Sequence, residues 1–112
     1  MNLIYKIKWY LDNSDTDLFR NYTDEDWLKL ETEMINMIDN CSDGSMLQEC
    51  LTLDVNYIIP YDVRLSLHKR LTELEANNEK AIRDYAFYLS AFGDEPEEII
   101  AAEMLKRLEN KK

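Results

Sequence analysis

Hydrophobic positions recur along most of this chain at helical spacing, separated by short polar clusters that read as caps and turns. The clearest case begins at Thr23, a good N-cap, with Asp24, Glu25 and Asp26 where a helix dipole favours negative charge. Trp27, Leu30, Met34, Met37, Ile38 and Cys41 then form one stripe, and Ser42-Asp43-Gly44 ends it. Leu28 and Ile35 widen the stripe, which predicts a helix that touches two neighbours. Glu31 falls inside it, either at the margin with its carboxylate in water or as an interface carboxylate awaiting an arginine.

Two stretches satisfy both periods. In NLIYKIKWYLDN, Leu3, Tyr5, Ile7, Trp9 and Leu11 alternate as in a strand, while Leu3, Ile4, Ile7, Tyr10 and Leu11 line one helical face. SMLQECLTLDVNY can form a helix on Met46, Leu47, Cys50 and Leu51, yet residues 51–59 also alternate.

Beyond them the pattern is helical again. Pro60 opens a helix with Val63, Leu67, Leu71 and Leu74 on one side. After Ala76-Asn77-Asn78, the inner face of the next helix reads Ile82, Tyr85, Ala86, Leu89 and Phe92, with Gly93 as its stop. Pro96 sits near the start of a last helix that turns Ile100, Ala101, Met104, Leu105 and Leu108 inward. Phe87 lies nearly opposite its helix's inner face. A helix sandwiched between two layers is the first explanation, and an exposed anchor for a partner is the second.

The pattern predicts one mainly α domain over residues 1–112, a compact stack of five to six short antiparallel helices. The alternative is α+β, with residues 3–11 and 51–59 pairing as two short strands.

ECLTLDVNY, followed by a helix, resembles the inter-repeat junction of tetratricopeptide-type helical repeats, in which an Asp-x-Asn-x segment links successive repeats. NNEKAIRDYAFYLSAFGDEPEEIIAAEML similarly resembles a helical hairpin of that class. Across residues 47–108 the resemblance implies that Ala86 permits close helix approach, with Tyr85 and Leu89 as larger neighbours. It implies a helical-hairpin fold used for protein binding, and it transfers no active site. The chain departs from the family in having no repeat-length self-match, and Val55 stands where the linker often has proline.

Composition agrees with the helical reading. Hydrophobic residues make up 46% and charged residues 32%, with only two glycines and two prolines, fewer than the turns of an all-β fold require. MNLIYKIKWYL interrupts its apolar run with Lys6 and Lys8, and lacks a small-residue cleavage site. No apolar run approaches the ~18 residues needed to span a bilayer. These features lead us to expect a cytoplasmic protein in which Cys41 and Cys50 are reduced thiols.

Charge changes the picture more. Of a net −10, residues 12–60 carry twelve acids and two bases, whereas residues 61–112 carry eleven acids and nine bases. A field of that sign disfavours nucleic acid and anionic membrane and favours a basic protein partner. The acids crowd residues 12–27, DNSDTDLFRNYTDEDW, among Phe19, Tyr22 and Trp27.

Catalytic and metal chemistry find little support. A calcium loop needs glycine at its sixth position and an acid at its twelfth; counted from Asp12 those are Asp17 and Thr23, and counted from Asn13 the sixth is Leu18. Cys41, Cys50 and His68 lack the short paired spacings of zinc sites. His68, beside Lys69 and Arg70, reads as a helix-surface residue and not as a catalytic base. No metal and no cofactor are therefore expected.

The candidate partner-binding residues are Asp15, Asp17, Tyr22, Asp24, Glu25, Asp26, Trp27, Glu31 and Phe87, combining aromatic anchors with carboxylates that steer a basic partner. The expected function is non-catalytic: an immunity- or inhibitor-type protein that neutralises a basic surface, such as that of a toxin or nuclease. A close variant is a nucleic-acid mimic. The alternative is a helical-repeat-like adaptor or assembly subunit binding through apolar helix faces, for which Phe87, Tyr88 and Leu65 would matter more.

Overall fold

Asn2 settles the ambiguity of the first stretch: its side-chain oxygen accepts the Tyr5 amide at 3.1 Å and caps a helix, α1 (Leu3–Asn13). This is seen in a computed structural model, which describes residues 2–110. Leu3, Ile4, Ile7 and Tyr10 are buried on one face of α1, whereas Tyr5, which a strand would have turned inward with them, is exposed. The second ambiguous stretch also resolves as helix. Helix α3 (Gly44–Leu53) runs through Leu53, and the Asp54 carboxylate then takes the amides of Ile58 and Ile59 that a strand ladder would need. Among the described residues there is no strand, so the α+β alternative, with strands near 3–11 and 51–59, is overturned.

Capping side chains mark the starts of three of the helices that follow α1. Helix α2 (Asp24–Asp39) begins with a capping box: the Thr23 hydroxyl accepts from the Asp26 amide at 3.1 Å, and the Asp26 carboxylate accepts from the Thr23 amide at 2.9 Å. Asp43 caps α3 through the Met46 amide, and Asn78 caps α5 (Glu79–Phe92) through the Ala81 amide. Pro60 precedes α4 (Tyr61–Leu74), and Gly93 closes α5 before α6 (Glu95–Asn110).

The six helices of the described residues form a compact stack. Helix α1 rests on α2 and α3, α4 packs against α2, α3 and α5, and α6 packs on α5. The main core joins Ile7, Met34, Ile38, Leu47, Val63 and Leu67, all fully buried. Each such aliphatic side chain contributes roughly 1.5–3 kcal/mol. A smaller cluster of Ala86, Leu89 and Ala101 holds α5 to α6. Arg70 ties α4 to the α2–α3 connection, donating from Nε to the Cys41 carbonyl at 2.8 Å. Among the described residues no helix is long and apolar enough to cross a membrane.

Two details differ from the pattern. Leu28 is exposed, so α2 buries one face built on Leu30, Met34 and Ile38 and does not extend it through Leu28. On α5 the buried face is Ala81, Ala86, Tyr88 and Leu89; Phe92 is exposed and Tyr88 has replaced it inside.

Candidate functional site

The acidic stretch folds around one ring. A single 3-10 turn, Asp17–Phe19, follows α1 and drives Phe19 inward, where its ring meets those of Trp9, Tyr10, Tyr22 and Trp27 at centroid distances of 5.7, 5.7, 4.9 and 5.1 Å. Phe19 is buried, while Tyr22 and Trp27 are half-buried and contact one another at 5.1 Å. Edge-to-face and tilted pairs of this kind stabilise by about 0.5–1.5 kcal/mol each beyond burial. Trp9, Tyr22 and Trp27 thus pack on the core while remaining partly exposed.

The carboxylates around them divide by role. Asp26 belongs to the capping box, and its two hydrogen bonds with Thr23 hold its pKa below the ordinary value. Asp17 pairs with Arg20 at 2.8 Å on the surface. Asp15, Asp24 and Glu25 are exposed and make no ion pair among the described residues. Glu31 is half-buried on α2, close enough to Tyr10 to raise that phenol's pKa, after burial itself. Beside this end Lys6 lies 4.7 Å over the Trp9 ring and 3.1 Å from Glu33, in a shallow concavity shared with Tyr22, Asp26 and Lys29.

Phe87 is not part of that face. It is 60% exposed on α5, so it is not sandwiched, and it lines the mouth of a second feature that sequence reasoning missed. This is a pocket of ≈ 320 Å³ between α3, the α3–α4 connection, α4 and α5. Its floor is a buried ion pair. Asp54 is 1% exposed, and its Oδ2 lies 2.7 Å from Arg64 Nη1. The same Nη1 donates to the Asp54 carbonyl at 2.8 Å. The guanidinium lies 4.3 Å from the Tyr57 ring and 5.3 Å from the Tyr88 ring, a double cation–π contact.

Tyr57 holds its position at a backbone cost. Its φ is +55°, the left-handed region that a bulky residue rarely occupies, at about 1–2 kcal/mol. The loop is drawn tight there by the Tyr57 amide on the Asp54 carbonyl, at 3.3 Å.

Next to Arg64, one turn along α4, stands His68. It is 3% exposed and not the surface residue its neighbours suggest. Its ring stacks on Tyr85 at 5.9 Å and meets Tyr88 at 5.0 Å. Neither Nδ1 nor Nε2 has a hydrogen-bond partner, and Arg64 Nε also lacks one. Burial first, and then the Arg64 charge, lower the His68 pKa to about 4, with Asp84 acting in the opposite sense. The imidazole is therefore neutral at physiological pH. Burial likewise pushes the Tyr88 phenol up to about 12, against the pull of Arg64.

Cys41 and Cys50 are unpaired, the first half-buried and the second fully buried. Among the described residues no three His, Cys, Asp or Glu side chains converge as a metal-binding group. Comparison of the chain with family models, with curated proteins and with solved structures finds no match.

Proposed function

We propose that this chain is a non-catalytic protein-binding domain whose acidic end docks on a basic protein surface, in the manner of an immunity or inhibitor protein. The observation that carries the reading is the company kept by Asp15, Asp24 and Glu25: exposed carboxylates without ion-pair partners among the described residues, beside the half-buried Tyr22 and Trp27. Unpaired acids raise the on-rate of a cationic partner, and aromatic edges supply the anchors that hold it. Leu18, half-exposed between Asp17 and Phe19, adds apolar area at the same place. A cytoplasmic setting belongs to this reading and suits two unpaired cysteines.

The test is affinity capture from native lysate at low and high salt, with Asp15→Asn/Asp24→Asn/Glu25→Gln in parallel. Asp26 is left intact because it caps α2. A basic partner that is released by salt and missed by the variant supports the proposal; one retained by the variant at high salt refutes it.

A second reading, an adaptor or assembly subunit docking through apolar helix surface, draws on Phe87, Phe92, Ile99 and Ile100, all exposed on the α5–α6 hairpin. Of the three residues that reading first invoked, Phe87 is exposed, Leu65 half-buried and Tyr88 buried. Salt separates the two, because screening weakens charge docking and leaves apolar docking in place.

A further inference from the structure

We propose that the α5–α6 hairpin pairs with the same hairpin of a second copy of this chain, the two α6 helices lying antiparallel across a two-fold axis. The inference rests on the second reading for its surface and names the partner there; it is independent of the acidic docking face.

The open side of α6 comes first. The helix has 16 residues, about 24 Å of length, and α5 is its one principal neighbour. Ala101 and Leu108 are buried, whereas Ile100, Met104 and Arg107, spaced i, i+4 and i+7, run along one flank. Ile100 stands at the N-terminal end of that row and is 48% exposed. At the other end Met104, Arg107, Leu108 and Asn110, with Ile82 of α5, line a groove of ≈ 410 Å³. One flank thus carries a projecting aliphatic side chain at one end and a largely apolar recess at the other.

That order selects the occupant. In an antiparallel pair Ile100 of each copy meets the groove of the other, and the two contacts form together, as an isologous interface requires. A parallel pair would set Ile100 on Ile100 and leave both grooves unfilled. The second copy also supplies α6 with the further neighbour that it lacks within its own chain.

Charge selects the same arrangement. Residues 94–103 hold five acids and no base, whereas residues 104–112 hold four bases and one acid. Glu98, Glu103, Lys106 and Arg107 make no ion pair among the described residues. Antiparallel pairing lays the acidic half of one α6 along the basic half of the other, twice; parallel pairing lays like on like. The net charge of −10 opposes self-association in general, but residues 61–112 carry only −2 of it, so two copies repel least through this half of the sequence. A foreign helix would need both the charge order and the shape order reversed, and a second copy provides both.

The contact is small. One helix and the edge of its neighbour bury less than the roughly 800 Å² per partner of a standard interface, so a dissociation constant of about 10–100 μM is expected.

Sedimentation equilibrium of the intact chain between about 5 and about 500 μM tests the pairing. The average mass should climb with concentration from the 13.3 kDa of one chain toward twice that value. Ile100→Glu, at an exposed position, should weaken association by about tenfold or more. Seating Ile100 against Met104 and Leu108 of the other copy brings Arg107 within one turn of that copy's Glu103. Arg107→Glu and Glu103→Arg should therefore each associate about tenfold more weakly alone. In an equimolar mixture of the two, every such contact is attractive again, and the dimer should return. Thermal melts confirm that each variant is folded. A chain of constant mass throughout, a dimer unchanged by folded Ile100→Glu, or a mixture no better than its components would each overturn the proposal. A monomeric chain whose hairpin captures a different protein also overturns it, and leaves the adaptor reading in place.

Discussion

Arg64 is held by Asp54 twice, through the carboxylate at 2.7 Å and through the backbone carbonyl of the same residue at 2.8 Å. The carboxylate in turn accepts the amides of Ile58 and Ile59, so one buried pair fixes both the α3–α4 connection and the first turns of α4. Removing either partner alone leaves a charge in a site with almost no access to water. Asp54→Asn and Arg64→Met should each lower unfolding free energy by about 3–5 kcal/mol, with the double variant losing less than the sum. A double-mutant cycle read from urea midpoints checks this. An additive result would mean that the pair is not coupled.

His68 gives the protein an acid weakness with a defined window. Its folded pKa of about 4 lies below the ordinary 6.5, so between those values the unfolded chain binds a proton that the native chain refuses. Stability therefore falls as pH drops from about 6.5 toward 4, by roughly 2 kcal/mol between pH 7 and pH 5. His68→Phe should flatten that part of the profile. Urea unfolding of both proteins at the two pH values makes the comparison, because the carboxylates common to both cancel.

The two cysteines should react very differently. Burial pushes the Cys50 thiol up to about 12, with smaller contributions from Cys41 and Glu49, whereas Cys41 is half-buried and its Sγ–H donates a hydrogen bond to the Asp43 carbonyl at 3.5 Å. In a native-state thiol titration with a disulfide reagent near neutral pH, Cys41 should react promptly, and Cys50 only when denaturant is added. In Cys41→Ser the prompt reaction should vanish. A fast thiol remaining in that variant would show that Cys50 is more accessible than its burial states.

Phe19 should matter more to stability than any other residue of the acidic stretch. Four rings close on it, and Phe19→Ala opens a void among them, so a loss of about 3–5 kcal/mol is expected, with a shift in tryptophan emission from Trp9 and Trp27. Guanidinium unfolding followed by fluorescence reads both effects. By contrast Asp15→Asn touches no partner among the described residues and should leave the midpoint almost unchanged, and Asp24→Asn should lose only the helix-dipole contribution of about 0.3–1 kcal/mol.

Much of the helical architecture was legible because caps and periodicity coincide in it. Thr23 with Asp26, Asn78 and Pro60 stand where their helices begin, and Leu30, Met34 and Ile38 follow at the expected spacing. The first stretch was undecidable from periodicity because Leu3, Ile7 and Leu11 fit both patterns; Asn2 and the burial of Ile4 and Tyr10 decide it. Residues 51–59 misled for a different reason. Their alternation is real, but the Asp54 side chain consumes the amides that a strand would pair. The acidic end could be foreseen, being local in sequence. The pocket could not, since it depends on Asp54 meeting Arg64 across the turn and on α5 rotating Tyr88 inward to face both Arg64 and His68. The only local hint was a histidine one turn beyond an arginine, which sequence alone reads as a solvated surface.

The last helix has one principal neighbour, and its hold rests on the small cluster of Ala86, Leu89 and Ala101, with Leu65, Tyr85, Met104 and Leu105 around it. Of its own residues α6 buries only Ala101 and Leu108, so it should be the shallow end of the stability gradient. Its amides should exchange with solvent deuterium through a local opening that leaves Ile7, Met34 and Leu67 protected. Such an opening bares the outer side of α5 while the buried Asp54–Arg64 pair stays clasped. Slow exchange in the α1–α4 core beside fast exchange in α6 would describe a rigid body with one detachable edge.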